Sequence, residues 1–313
     1  MKNPFQWTGR FDGEGKEHQR LFQVIQPFNS QTKGSCLIGF SSDEGVSRNK
    51  GRVGAYHAPD LIRTQLASFP LHHEITLCDA GNISCDDKNL EKAQNNLGDY
   101  VLKCLKQGIT PIILGGGHEV AYGSFQGSSQ FARENNKRIG IINFDAHFDL
   151  REDAQATSGT PFYQAYKLSK QNHQDFRYLC LGIARQSNTA ILFERANKLN
   201  VDYVMDYEMD FSTISSIKHK LAQFLKEVDI VHLSIDLDVF PQSQAPGVSA
   251  PAPYGVDYKI IFPLLQYLFE SGKTALLEIA EYNPLFDRDN QTAKLAAHII
   301  YEYVHGISKK STT

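Results

Sequence analysis

The sequence predicts an α/β fold, a single domain built on a mainly parallel sheet with helices on both faces. Three observations carry this. Short β-rich runs alternate with longer segments of helical period, which implies βαβ units. Several of the runs are apolar almost throughout, as strands covered on both faces are. The rhythm runs from about Cys36 to about Gly306 without a repeat, a low-complexity tract or a Pro/Ser-rich linker.

In chain order the expected strands are Cys36 to Phe40, Glu74 to Cys78, Thr110 to Leu114, Arg138 to Phe144, Tyr178 to Ile183, Val201 to Met205, Ile230 to Ile235 and Thr274 to Ile279. Ile139, Ile141 and Ile142, and likewise Ile230, Val231, Leu233 and Ile235, mark central strands. The clearest helix carries Leu90, Ala93, Leu97, Val101 and Leu105 at helical spacing, with Gly108 as its stop. Residues 1–33 read as an N-terminal arm and 307–313 as a flexible tail. Ser41 to Pro59 and Phe240 to Gly255 break the rhythm, and irregular stretches of that length inside a domain are often functional loops.

Composition narrows the function. The chain has 313 residues, 41% hydrophobic and 21% charged, and 32 Lys+Arg against 35 Asp+Glu leave a formal net charge of -3. So even a balance creates no field for nucleic acid or anionic lipid. No apolar run approaches the roughly 18 residues of a membrane helix. The polar, glycine-rich start lacks a signal's apolar core and reads as cytoplasmic. Cys36, Cys78, Cys85, Cys104 and Cys180 form no CxxC pair and read as reduced core thiols.

Three motifs carry the chemistry. NFDAHFDLR places Asp145, His147 and Asp149 two residues apart directly after an apolar strand, so extended chain turns all three to one side. SIDLDVF repeats the device with Asp236 and Asp238, whose charges repel unless a cation lies between them. GGGHE puts His118 after three glycines, which allow a close backbone approach. All three follow presumed parallel strands at their carboxyl ends, where open α/β sheets place their sites. Four carboxylates and two imidazoles without a thiolate suit Mn²⁺ first, with Zn²⁺, Ni²⁺ or Fe²⁺ compatible by ligand type. Two ions fit six ligands better than one, because shared carboxylates leave room for a water. Singly, each motif also fits a solvated turn or a cap; together, so many carboxylates without a cation would be very costly to bury.

GGGHE, DAHFDLR, SIDLDVF with the following PQSQAPGVSAPAPYGV, and EIAEYNP resemble the arginase-agmatinase-formimidoylglutamase family of ureohydrolases, over about Gly39 to Gly306. The resemblance implies an arginase-like single domain with an eight-stranded parallel sheet, a pair of Mn²⁺ ions, hydrolysis of a carbon-nitrogen bond and a closed homo-oligomer. It implies His118, Asp145, Asp149 and Asp236 as ligands of one ion and Asp145, His147, Asp236 and Asp238 as ligands of the other, with Asp145 and Asp236 bridging. Two such cations lower the pKa of a shared water toward about 7. Asp149 is then expected to orient that water and carry a proton to the departing amine, and Glu281 to pair with the cationic amidine or guanidine. Glu278, three residues earlier on the opposite face, is expected to be structural or to support the ligands from behind.

Arginases and agmatinases place a histidine in the loop after DAHxD, and here Ala156 to Phe162 has none. GGGHE and DEGVSRNKGRVGA resemble formimidoylglutamases more closely. Glu119 is expected either to support His118 or a bound water, or to be an exposed first-turn acid. Arg151 shares a face with Asp149 and suits a bidentate grip on a substrate carboxylate. Asn49 and Arg52 are candidates for a second carboxylate. The expected substrate is thus a small acidic amidine, N-formimidoyl-L-glutamate, cleaved to L-glutamate and formamide in histidine breakdown. An agmatine or arginine hydrolase releasing urea is the runner-up, although Arg151 would repel cationic agmatine. A binuclear metallophosphatase fits the motif order poorly, and a non-catalytic metal-binding protein fits the full ligand set poorly.

Overall fold

The structure, a computed structural model, describes residues 5–29 and 31–310. Among them nine strands form one sheet: β1 Gln26–Pro27, β2 Ser35–Ser41, β3 Leu77–Ser84, β4 Thr110–Leu114, β5 Ile139–Phe144, β6 Tyr178–Ile183, β7 Asp202–Met205, β8 Ile230–Asp236 and β9 Thr274–Ala280. The spatial order is β1-β3-β2-β4-β9-β8-β5-β6-β7. Every strand pairing is parallel. The helices between them are α1 Glu44–Arg48, α2 Ala58–Ala67, α3 Leu90–Lys106, α4 Val120–Glu134, α5 Pro161–Gln171, α6 Ala190–Lys198, α7 Ile214–Glu227, α8 Tyr258–Ser271 and α9 Gln291–Lys310.

The strand period of two sorts the core into layers. Leu37, Ile112, Leu114, Ile142 and Phe144 face one layer, built with α2, α7, α8 and α9. Cys36, Ile38 and Ile113 face the other with α3, and Ile139 and Ile141 continue it with α4, α5 and α6. Both faces are therefore covered, which is why these strands read as unbroken apolar runs. All five cysteines are free and buried. Among the described residues, no helix is long and apolar enough to cross a membrane.

Two expectations need correction. The sheet has nine strands rather than eight, because the presumed N-terminal arm contributes β1, whose Gln26 pairs with Cys78. A two-residue edge strand ending in proline has no periodic signature, and proline is tolerated there because the edge needs no further donor. The second strand runs from Leu77 to Ser84 rather than from Glu74 to Cys78. Asp, Gly and Asn in DAGN disfavour strand by propensity, but Arg63, fully buried, holds them. Its Nη2 donates to Asp79 Oδ1 at 2.8 Å, its Nε to Asp79 Oδ2 at 3.0 Å and its Nη1 to Asn82 Oδ1 at 2.6 Å. At the other terminus α9 runs through Lys310, so the expected tail is helical as far as that residue. Positions 311–313, like 1–4 of the arm, lie outside the described residues.

Candidate metal centre and active site

Strand order brings the three motifs together. The chain leaves β4, crosses over to β5 and works outward to β7; β8 and β9 then return to fill the gap, giving β4-β9-β8-β5 at the centre. A crevice at the carboxyl ends, where the order reverses, is the expected site of such a sheet. Pairing of Phe144 with Ile235 sets Asp145 beside Asp236. Gly116 threads the turn after β4: a Cβ there would lie 1.8 Å from the Ser42 carbonyl oxygen. Its own carbonyl accepts the Glu281 N–H at 2.8 Å, and the Gly117 N–H donates to the Ser42 carbonyl at 3.1 Å. The glycine run thus packs against chain rather than ligand, and it delivers His118.

His118 Nδ1 lies 3.1 Å from Asp145 Oδ2, 2.9 Å from Asp149 Oδ2 and 3.0 Å from Asp236 Oδ2. Nε2 hydrogen-bonds Ser234 Oγ at 2.9 Å. Nδ1 is buried and has no partner in hydrogen-bond geometry. One nitrogen cannot satisfy three carboxylate oxygens by hydrogen bonding, whereas a cation at their common centre can. His147 Nδ1 lies 3.0 Å from Asp238 Oδ2 and 3.6 Å from Asp145 Oδ1. The candidate ligands therefore form two groups, His118-Asp145-Asp149-Asp236 and Asp145-His147-Asp238, which share Asp145. Hard oxygen and imidazole donors around an orphaned buried nitrogen fit divalent ions such as Mn²⁺.

Asp236 joins the first group but not the second. Its Oδ1 accepts the Asp238 N–H at 2.8 Å and caps the turn that follows β8. Among the described residues Asp145 alone is common to both groups.

The electrostatics show the same imbalance. Burial disfavours the His118 cation, yet the carboxylates of Asp145, Asp149 and Asp236 close around Nδ1 raise its pKa well above the ordinary histidine value. Burial, together with the charges of Asp238 and Asp145, pushes Asp236 well up, and burial and Asp145 raise Asp149. Burial opposes ionisation of Asp145 as well, but the two histidines outweigh it and hold this carboxyl down. Glu281 is pushed up to about 8, first by burial and then by the charge of Glu119. The acids stand too close for all to ionise without added positive charge.

A cavity of about 300 Å³ opens onto these groups and is lined by His147, Asp149, Asp236, Asp238 and Glu281, with Asn49, Lys50, Arg52, Arg151, Ser158 and Ser249 at its rim. Both irregular stretches, Ser41 to Pro59 and Phe240 to Gly255, contribute walls, as expected of functional loops. Glu281 accepts the His118 backbone N–H at 2.8 Å. Asn49 Nδ2 donates to Ser158 Oγ at 3.1 Å. Where the loop 156–162 lacks a histidine it supplies Ser158 to the rim and sets Phe162 edge-on to the His118 ring, 5.3 Å between centroids.

Arg52 and Glu119 differ from expectation. Arg52 lines the cavity, but Nε donates to the Ser249 carbonyl at 2.8 Å, Nη2 donates to the Val248 carbonyl at 2.6 Å, and the guanidinium stacks on Phe286 at 3.9 Å. It braces the wall rather than reaching for a carboxylate. Glu119 is neither exposed nor aimed at His118. Fully buried, it accepts from Ser42 Oγ at 2.8 Å and the Gly45 N–H at 3.0 Å, pinning the start of α1. Glu278, as expected, is structural: it pairs with His232 at 3.1 Å and with Ser124 inside the core.

Sequence reasoning passed over Asn143, Ser234 and Lys50. Asn143 Nδ2 donates to Asp145 Oδ2 at 2.8 Å, orienting that candidate ligand. Asn143 and Ser234 are register partners, each two residues before a candidate ligand aspartate. The period-two device extends one step back into both strands, and a polar residue inside an apolar run was its available signal. Lys50 gave none.

The model of the Arginase family matches residues 33–306. A formimidoylglutamase of Chromobacterium violaceum is 45% identical over 297 residues, 94% of this chain and 96% of that one. Among solved structures, formimidoylglutamase from Bacillus subtilis superposes with a TM-score of 0.82 at 25% identity, covering 96% of this chain and 94% of its own. Trypanosoma cruzi formiminoglutamase, solved with Mn²⁺, shares the fold at a TM-score of 0.81 and 24% identity, covering 93% of this chain and 98% of its own. By its family match and by its near full-length similarity to a relative, this chain belongs to the arginase family.

Proposed function

We propose that this protein hydrolyses N-formimidoyl-L-glutamate to L-glutamate and formamide, a step of histidine breakdown, with two Mn²⁺ ions per subunit. The observation that carries this reading is a floor of two ligand groups sharing Asp145 beneath a rim where Arg151 has no ion-pair partner among the described residues. The 45% identity to a protein named formimidoylglutamase supports it.

His118, Asp145, Asp149 and Asp236 would hold one ion, and Asp145, His147 and Asp238 the other. Bound there, the pair supplies Lewis-acid charge and a water acidic enough to attack at neutral pH. Glu281 faces the cationic amidine and fixes its plane beside the ligand groups. Water adds its oxygen to the amidine carbon, the bond from that carbon to the glutamate nitrogen breaks, and Asp149 carries a proton to the departing nitrogen. Arg151, with Asn49 beside it, holds a carboxylate at the rim. Arg52 keeps the wall in place.

The test is product analysis of metal-free and Mn²⁺-loaded protein, with glutamate and formamide measured beside urea. Metal-dependent glutamate and formamide formation supports the reading. Faster urea release from agmatine or arginine assigns the chain to the guanidino hydrolases, and turnover of an aryl phosphate alone assigns it to the phosphatases.

A further inference from the structure

Three residues lining the cavity hold left-handed backbone: Asp149 at φ 49, Glu281 at φ 65 and Lys50 at φ 60. Strained residues that gather at a site point to function. Asp149 and Glu281 already have roles; Lys50 has none. It follows α1, where its N–H donates to the Ser47 carbonyl at 3.0 Å and the Gly51 N–H donates to the Val46 carbonyl at 2.8 Å. That pair of bonds ends a helix with one left-handed residue, usually glycine because a Cβ is penalised there. The turn therefore needs no side chain at this position.

The lysine lines the same cavity as Arg151, on a side where the other cations are engaged. Arg48 is spent on Glu44 and Glu91, and Arg52 on two backbone carbonyls. Among the described residues, the Lys50 ammonium and the Arg151 guanidinium make no ion pair. Arg151 Cδ and the Nδ2 of Asn49, the residue before Lys50, both pack over Gly159, 2.8 and 3.3 Å from where its Cβ would be. The floor carries only acids and histidines, so it takes the amidine and leaves carboxylates to the rim.

We propose that Lys50 is a specificity residue, holding one carboxylate of the acidic amidine while Arg151 holds the other, so that the pair selects dicarboxylic over monocarboxylic amidines. This rests on the functional reading above.

The experiment compares wild type, Lys50→Gly, Lys50→Asn and Lys50→Arg, all Mn²⁺-loaded, on N-formimidoyl-L-glutamate and on two analogues, each lacking one of its carboxylates. Glycine and asparagine both tolerate the left-handed backbone. For these two variants KM on the dicarboxylate is expected to rise about tenfold with kcat nearly unchanged, the loss of one charged contact. On the analogue missing the carboxylate that Lys50 holds, KM is expected to match wild type. Lys50→Arg retains most of the affinity, and the Tm of Lys50→Gly equals or exceeds that of wild type. An unmoved KM, an equal rise on all three substrates, or a lowered Tm without a change in KM would overturn the assignment, the last showing a lysine kept for the helix end. Wild type that leaves formimidoylglutamate untouched overturns the functional reading and this inference with it, whereas active wild type with an unmoved KM overturns this inference alone.

Discussion

The Glu281 carboxylate accepts the backbone N–H of His118 at 2.8 Å, tying the acid proposed to face the amidine to the residue that opens the first candidate ligand group. The tie is reciprocal in space, because the Glu281 N–H donates to Gly116, two residues before that histidine. Glu281→Gln keeps an acceptor for His118 and loses only the charge. Its kcat/KM is expected to fall about a hundredfold, as for a charge-assisted contact, at unchanged metal content. Kinetics and elemental analysis check this; near wild-type kcat/KM would remove Glu281 from substrate binding.

His118 and His147 belong to different ligand groups. His118→Ala and His147→Ala are each expected to bring bound Mn²⁺ from two ions to one, with loss of turnover, since Lewis-acid work by a metal pair needs both. Calibrated elemental analysis of dialysed protein reads the stoichiometry. A wild type that binds a single ion at saturation contradicts the two-group reading.

Metal-free protein should lose stability as pH rises. Glu119 and Glu281 are raised from 4.5 to about 7 and about 8, chiefly by burial, and His118 is raised by its carboxylate neighbours. An acid with a raised folded pKa favours the folded state below its unfolded value and withdraws that support as pH climbs through the folded one; the histidine acts in the same sense. Asp145, held down, loses its contribution only when pH falls. The Tm of metal-free protein is thus expected to drop between about pH 5 and 8. Mn²⁺ supplies the missing positive charge and should flatten or reverse the trend. A flat metal-free profile in scanning fluorimetry would contradict this.

Arg63 is fully buried and bidentate to Asp79. Arg63→Ala takes the guanidinium from Asp79 and Asn82, leaving the Asp79 charge only its neutral donors Trp7 and the Gly81 N–H, and breaking a buried pair in this way costs about 3–5 kcal/mol. Denaturant unfolding measures the loss. A change under about 1 kcal/mol would mean that β3 does not depend on this residue.

What the chain determines by itself here is whatever local geometry carries. Residue type and two-residue spacing at two strand ends marked Asp145, His147, Asp149, Asp236 and Asp238, but the chain there is not extended as expected: Asp149 is left-handed at φ 49 and Asp238 lies in the helical turn Leu237–Val239. Unbroken apolar runs require cover on both faces, so the layering was also legible. Long-range contact decided the rest. Arg52 met carbonyls 196 and 197 positions away and became a brace. Glu119 met Gly45, 74 positions away, and became a buried pin. DAGN became strand because Arg63 satisfies it, and Gln26 became strand because Cys78 offers an edge. A side chain's charge is written in its residue type, but the partner that commits or frees that charge is chosen by packing. For that reason Lys50, one of several cations in its loop, stands out only once its neighbours are seen to be engaged elsewhere.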